Sequence, residues 1–474
     1  MGYIDHYTAK GKIERRYTSH EGVDHDSLDG LGYDWEQVGD PGIAPKYPLK
    51  IYLPQSTEDI VAIVREVKAL GQKLTIRSRG HSSNDLVLAD KGVVLCTGKL
   101  NRVLEINERE MTATLQAGVI SADVDELLRQ KGYGLPVIGD HNDITVGGFS
   151  SVGGIGPASH RYGMFIDNVA EFEYVNFDGD VIRCSRTENA ADFYRVLGGC
   201  GQYGVLATLT CRFIKIDKYG TILRNERAFY TNLDRFLRET SRHLRDPGDI
   251  YMMRGAFNNL GKIKIGQFSG FKETPQSGWK SLRNTISYRY LHMLGSWAGR
   301  LPALLERVVK ALGILGVLFP ARYASIKNVE FFADRILDVT VGDPTRWLII
   351  LVPSAKYEAL ARAVYERAVQ FRERYGCFTF VSIYIKAVRS EFLSPEDPHR
   401  FFCELNLYLG ISKRGIRTEE LDDLVSQVDD LCIKHGAFRY MHSKTVKDPE
   451  RRRQLDLNSR FAQTVSAAGK SAVH

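Results

Sequence analysis

Cysteine is sparse and scattered in this chain, with seven in 474 residues and no Cys-x-x-Cys pair. That usage points to reduced thiols and argues against a disulfide frame or a cysteine-held zinc site, and no metal site is expected. No run of about twenty residues is both apolar and free of charge, so no bilayer-spanning helix is expected. The basic residues gather into no clustered tract, and a net charge of +7 is mild; nucleic acid is therefore not an expected partner. Internal repeats and low-complexity segments are also missing. Met1-Gly-Tyr-Ile-Asp-His-Tyr7 lacks the apolar run after a charged start that marks a leader, so the expected location is cytoplasmic. What is present, 43% apolar and 26% charged residues, is enough for two domains with cores of their own.

The pattern reads as an α+β chain. After a polar first forty residues, Ser56 or Thr57 can cap a helix carrying Ile60, Val61, Ile63, Val64, Val67 and Leu70 at helical spacing. Strand-like runs follow at Leu74–Ile76, Val93–Cys96, Val103–Ile106, Thr112–Ala117, Val169–Phe177 and Val205–Ile214, with a helix near Ser121–Lys131. Asp178-Gly179-Asp180 marks a hairpin turn. From about Asp217 long helices alternate with strands (Leu348–Val352, Phe378–Ile385, Phe401–Leu409), which reads as a separate domain on an antiparallel sheet flanked by helices. The expected division is 1–216 (core about 45–216), 217–440, and a segment 441–474 returning to the first domain. An apolar insertion at about 288–322 carries a few charges, among them Arg300, Arg307, Lys310 and Arg322. It reads as an amphipathic helix on the second sheet, with a membrane-surface helix or a lid over a greasy substrate as the alternatives.

The most informative stretch is Ile76-Arg77-Ser78-Arg79-Gly80-His81-Ser82-Ser83-Asn84-Asp85, a glycine-opened loop between two apolar strands. Glycine lets backbone approach a ligand, successive N–H groups in such a turn form an anion-binding concavity, and Arg77 and Arg79 add fixed positive charge. A pyrophosphate would fit there; the competing reading is a surface turn with incidental arginines.

Three blocks in order resolve that choice. Arg79-Gly80-His81-Ser82 resembles the pyrophosphate loop of FAD-linked oxidases of the vanillyl-alcohol oxidase superfamily, with its PCMH-type FAD-binding domain. Thr145-Val146-Gly147-Gly148, Gly153-Gly154-Ile155-Gly156 and His160-Arg161-Tyr162-Gly163 are similar to the second flavin-contacting segment, and Leu197-Gly198-Gly199 through Val205-Leu206 to the block that closes the domain. The strong part of the likeness covers about Tyr47 to Ile216. Among branches the wording is nearest cytokinin dehydrogenases, whose substrate domain is also similar around Pro344, Trp347 and Val352-Pro353-Ser354. The resemblance implies a two-domain fold, an FAD-binding domain plus a substrate (cap) domain. It implies FAD held by Arg77, Ser78, Arg79, Gly80, His81, Ser82, Ser83, Asp140, Thr145, Gly147, Gly148, Ser151, Gly154, Ile155, Val205 and Leu206. His81 stands where relatives form a bond to the flavin's 8α carbon; Gly139 to Gly156 contains no cysteine for a second bond.

Such a cofactor takes a hydride from a C–H bond while a base removes the proton of the neighbouring O–H or N–H. Asp140, five positions before Thr145, matches the cytokinin dehydrogenase pattern's catalytic aspartate, and burial beside an apolar ring would raise its pKa. His141 and Asp143 lie in the same loop; the bland alternative is that all three brace it. The far end of the chain pulls elsewhere. Gly436 to Lys444 resembles the Arg439-to-Lys444 spacing of aldonolactone, alditol and decaprenylphosphoryl-ribose oxidases, in which a lysine lies by the substrate. The proline-glycine-glutamine ending of cytokinin dehydrogenases is missing after Asp448-Pro449. Glu404 and Asn406 share one strand face by alternation, Glu404 as a catalytic candidate with Lys444; Lys386 and Arg389 are further candidates. The expected activity is an FAD-dependent oxidoreductase acting on a carbon that bears an alcohol or amine. A small-molecule substrate and oxygen or another acceptor are the expected partners, with peripheral membrane contact left open. A sugar, alditol or polyprenyl-sugar oxidase and a non-catalytic flavin-binding partner are the alternatives.

Overall fold

The structure is a computed structural model and describes residues 31–32, 34, 44–82, 86–140, 144–286, 322–330, 345–440 and 448–457. The chain opens with a small parallel sheet of β1 (Lys50–Tyr52), β2 (Leu74–Arg77) and β3 (Val93–Cys96), in the order β1-β3-β2. The helix Thr57–Ala69 covers it, started by Ser56, whose hydroxyl accepts from the Asp59 N–H at 3.2 Å. Its buried Ile60, Ile63, Val64 and Val67 follow the expected spacing, whereas Leu70 ends the helix in solvent.

An antiparallel sheet follows. It is built from β4 (Val103–Asn107), β5 (Thr112–Gln116), β7 (Val169–Asn176), β8 (Val181–Ser185) and β9 (Gly204–Arg212), ordered β4-β5-β9-β7-β8. A two-residue strand, β6 (Tyr133–Gly134), pairs with β10 (Ile214–Lys215) beside it. Gly179 makes the β7–β8 turn with φ +86°, a conformation that suits glycine.

Among the described residues the second half is one eight-stranded sheet. Its strands are β11 (Ile222–Tyr230), β12 (Ile250–Asn259), β13 (Lys264–Glu273), β14 (Tyr323–Ser325), β15 (Thr345–Pro353), β16 (Phe378–Val388), β17 (Phe402–Ile411) and β18 (Phe438–Arg439). They run in the order β14-β11-β13-β12-β16-β17-β15-β18, every pairing antiparallel. Helices Leu233–Arg245, Tyr357–Tyr375 and Thr418–His435 cover one face. The middle one turns Leu360, Ala361, Val364, Ala368 and Phe371 inward at helical spacing and stops at Gly376 with φ +62°. Each large side chain so buried stabilises the packing by about 1.5–3 kcal/mol. The opposite face meets the first half: Ile349, Leu351, Phe402 and Phe438 share a core with Leu115, Phe149, Phe172 and Phe193.

The fold is thus the expected mixed α+β one, with smaller sheets in the first half and an antiparallel sheet flanked by helices in the second. β11 to β13, none of them among the strand-like runs named from sequence, supply three of the eight strands of the second sheet. Most of the apolar insertion, together with Ser83, His141, Asp143 and Lys444, lies outside the described residues. Among the described residues no helix is long and apolar enough to cross a membrane.

Candidate active site

One cavity opens between the two halves, and the glycine-rich blocks form its first wall. Ser78, at the end of β2, is its structural knot. Thr97 Oγ1 donates to Ser78 Oγ at 2.9 Å, the Ser78 and Thr145 hydroxyls lie 2.7 Å apart, and Thr145 Oγ1 accepts from the Gly148 N–H at 3.2 Å. These bonds fix the loop after β2, the end of β3 and the helix Val146–Val152 against one another. Gly147 lets that helix close on β5: a Cβ there would stand 2.7 Å from the Ala117 carbonyl. The third block locks on through Cys200 N–H to Ser151 O (2.7 Å) and Gly198 N–H to Ser150 O (2.8 Å).

Of the expected cofactor residues, Ser78, Arg79, Gly80, His81, Ser82, Asp140, Thr145, Gly147, Gly148, Ser151, Ile155 and Leu206 line the cavity. Three do not. Arg77 is 1% exposed and packs beneath Gly80, where a Cβ would come within 2.5 Å of its guanidinium. Burial pushes its pKa down against the opposing field of Cys96 and Asp34. Gly154 sits behind the wall, its N–H donating to Tyr440 Oη at 2.8 Å, and Val205 is buried under the first helix with Ile60 and Val64. The His160 segment is internal as well: His160 Nε2 donates to Ile250 O at 2.8 Å, and burial lowers its pKa to about 4.

The second wall is the open face of the large sheet. Antiparallel register sets Trp347 opposite Tyr408, Ile349 and Tyr384 opposite Asn406, and Lys386 opposite Glu404. The Trp347 and Tyr408 rings lie 4.4 Å apart between centroids. Glu404 and Asn406 were legible as a pair on one face, but Trp347 was noted only as part of the family pattern, and Tyr384, Tyr408 and Tyr440 were missed. Strand register, which depends on contacts between distant segments, is what brings them in.

At the junction of the walls lies a buried charge network. Lys386 Nζ donates to Asp140 Oδ2 and stands 3.1 Å from Glu404 Oε2; an Arg254 nitrogen lies 3.9 Å from Asp140 Oδ1. The surroundings of Asp140 are therefore cationic rather than the apolar ones expected from sequence. Burial pulls the Lys386 pKa down, but the Asp140 and Glu404 carboxylates outweigh it and hold the ammonium above its ordinary range. Glu404 is raised, burial exceeding the help of Lys386 and of a hydrogen bond from Asn406. Asn406 is 2% exposed, and its Oδ1 has no hydrogen-bond partner among the described residues.

The lining of the cavity combines hydroxyls, glycines and Arg79 with apolar Phe149, Val152, Ile155 and Leu206 and with the rings of Trp347, Tyr384 and Tyr408. That mixture suits a ligand with a phosphate-bearing part and a flat apolar ring. The glycines keep it open, since at Gly148 a Cβ would meet Thr145 Oγ1 at 2.9 Å and project toward Ser78. The residues present fit a flavin nucleotide.

A cradle that fits a flavin nucleotide, facing a polar, aromatic sheet face, defines the class. Residues 48–185 match the family model of the FAD binding domain. The chain is similar to an uncharacterized oxidoreductase of the fasciation locus of Rhodococcoides fascians, 35% identical over 190 residues, which are 40% of this chain and 42% of that protein. It is similar to L-gulonolactone oxidase of Mus musculus, 28% over 171 residues, 35% of this chain and 38% of that one. It is also similar to cytokinin dehydrogenase 2 of Arabidopsis thaliana, 30% over 206 residues, 43% and 40% of the two chains. Residues 48–185 thus carry a PCMH-type FAD-binding domain, and the likeness to these proteins supports the FAD-binding oxidase superfamily. The matched stretch spans about two-fifths of these relatives' lengths.

Proposed function

We propose that this protein is an FAD-dependent oxidoreductase that removes a hydride from a carbon bearing an alcohol or amine, as in a cytokinin dehydrogenase-like reaction. The carrying observation is that Asp140, from the loop before the glycine-rich helix, and Glu404, from the second sheet, line one cavity and both pair with the buried Lys386. When bound, FAD supplies the hydride acceptor. Ser78 to Ser82, Thr145, Gly147, Gly148 and Ser151 would hold it, with His81 the residue that would carry its covalent link. Asp140 takes the proton of the substrate's O–H or N–H, while Lys386 holds the carboxylate in place and balances its charge. Glu404 and Asn406 orient the substrate, and the rings of Trp347, Tyr384 and Tyr408 enclose it and exclude water. The division into an FAD part to residue 216 and a substrate part beyond it, and a cytoplasmic site of action, belong to the same reading.

A sugar or polyol substrate is the second reading, and the open acceptor on Asn406 favours it, because a second hydroxyl would satisfy that atom. Anaerobic mixing of the purified flavoprotein with alcohols, N6-substituted adenines, aldonolactones and alditols, read as loss of the flavin's visible band, tests both. Bleaching by an adenine supports the first and bleaching by a polyol the second. Asn406→Leu should cut kcat/KM for a polyol by about tenfold or more and leave a mono-alcohol nearly unchanged. Retention of flavin with no reduction by any class would favour a binding role. A colourless protein that FAD cannot reconstitute would overturn the proposal.

A further inference from the structure

Residues 278–286 are helical and precede the apolar insertion. Asn284 ties it to the protein: its Oδ1 accepts from the Ser325 N–H at 2.8 Å and from Asn328 Nδ2 at 2.6 Å. At about 100° per residue, Trp279, Leu282 and Ile286 fall within an arc of about 60°, turned roughly 160° from Asn284. The apolar stripe therefore points away from the body of the protein. It is open, with Trp279 64%, Leu282 49% and Ile286 57% exposed.

Cations cluster beside it. Lys280, Arg283 and Arg322 lie 5.7, 5.8 and 5.9 Å from the centroid of the Tyr323 ring. Residues 277–286 contain no Asp or Glu, and the sequence that follows to residue 321 has Glu306 alone against Arg289, Arg300, Arg307 and Lys310. A narrow apolar stripe with an indole, flanked by lysine and arginine, has the chemistry of a helix lying in a lipid headgroup layer. A stable protein interface takes about 800 Å² from each partner, more than three partly exposed side chains supply. An anionic bilayer asks for less, because shallow insertion and charge attraction add together.

We propose that the face of Trp279, Leu282 and Ile286, with Lys280, Arg283 and Arg322, docks the protein on an anionic lipid surface. The inference is independent of the redox reading.

Co-sedimentation of the full chain with phosphatidylcholine vesicles, with and without phosphatidylglycerol, tests it. The wild-type chain should pellet with the anionic vesicles and release as salt is raised. Trp279→Glu with Leu282→Glu should weaken binding at least roughly tenfold, and Arg283→Gln with Arg322→Gln by roughly 10- to 30-fold on anionic vesicles alone. The emission assigned to Trp279, obtained as wild type minus Trp279→Phe, should shift to the blue and lose iodide quenching on vesicle addition. Absence of pelleting would overturn the proposal, as would undiminished pelleting of Trp279→Glu. A Trp279 already shielded from iodide without vesicles would assign the stripe to residues 287–321 of the same chain. Self-association abolished by Trp279→Glu, without vesicle binding, would assign it to a second copy; either result refutes lipid docking.

Discussion

Lys386 and Asp140, 246 residues apart in sequence, meet as an ion pair where the two halves of the molecule face each other. The pair joins a strand of the second wall to the loop that leads into the glycine-rich helix, so the same contact that closes the cavity also holds the proposed base. Asp140→Asn keeps the shape but removes the proton acceptor. Turnover should fall by about 10²- to 10⁴-fold while flavin content stays at the wild-type level. Rapid-mixing reduction kinetics on flavin-matched samples check this, and an unchanged reduction rate would move the base elsewhere.

Lys386→Met should be costly in a pH-dependent way. It leaves Glu404, already raised by burial, without its nearest cation, and breaking a buried pair costs about 3–5 kcal/mol. A carboxyl with a raised folded pKa contributes stability below its unfolded value, and that contribution is lost as pH rises through the folded value. Removing the ammonium pushes that folded value up further. The loss relative to wild type should therefore be larger at pH 8 than at pH 5, as read from urea midpoints. Lys386 itself titrates above its ordinary range and adds no slope in that window. Equal losses at both pH values would mean that Glu404 stays ionised without Lys386.

The His81 prediction concerns a bond rather than a fold. His81 lines the cavity beside Gly80, whose φ of +73° and underlying Arg77 fix the turn. If the histidine carries the flavin, colour should remain in the washed pellet after acid precipitation and move to the supernatant in His81→Ala. A yellow supernatant from the wild-type protein would place the chain with non-covalent binders and leave the rest of the site unchanged.

The first wall of this site was legible because it is local. Ser78, Gly80, Thr145 and Gly147 belong to short segments in which turn chemistry and close approach demand particular residues, and those demands show as motifs. Arg77 and Gly154 carry the same motif lettering but stand behind the wall, since a motif does not say which side of the chain faces the ligand. The second wall depends on register. Glu404 and Asn406 were readable as one face of a strand, yet nothing local says that Tyr384 lies opposite Asn406 or Trp347 opposite Tyr408. Arg254 comes from farther still, on a strand whose neighbours are set by the whole sheet. Long-range pairing decided these positions, so sequence named Asp140 and Lys386 as separate candidates but neither their meeting nor Arg254 beside them.

A second buried network ties the halves together away from the cavity. Asp125, from the helix Ser121–Arg129, accepts from Lys327 at 2.6 Å and pairs with Lys218 at 3.0 Å; Lys218 also meets Glu330 at 2.8 Å. All four side chains are nearly inaccessible. Burial drives the Asp125 pKa up, but the two lysines overcome it and hold it below the usual carboxylate range, whereas burial leaves Glu330 raised. The two acids therefore act in opposite directions. Asp125 contributes stability above its unfolded pKa, near 3.9, and loses it as pH falls through the depressed folded value; Glu330 contributes at low pH and loses it as pH rises. Asp125→Asn should cost about 3–5 kcal/mol at neutral pH and flatten the acid limb of the stability curve. Glu330→Gln should cost less, because its second oxygen is 3.8 Å from Lys327 and burial already raises its pKa. Denaturant titrations from pH 3 to pH 8 check both, and a larger loss for Glu330→Gln would reverse the assignment of the stabilising carboxylate.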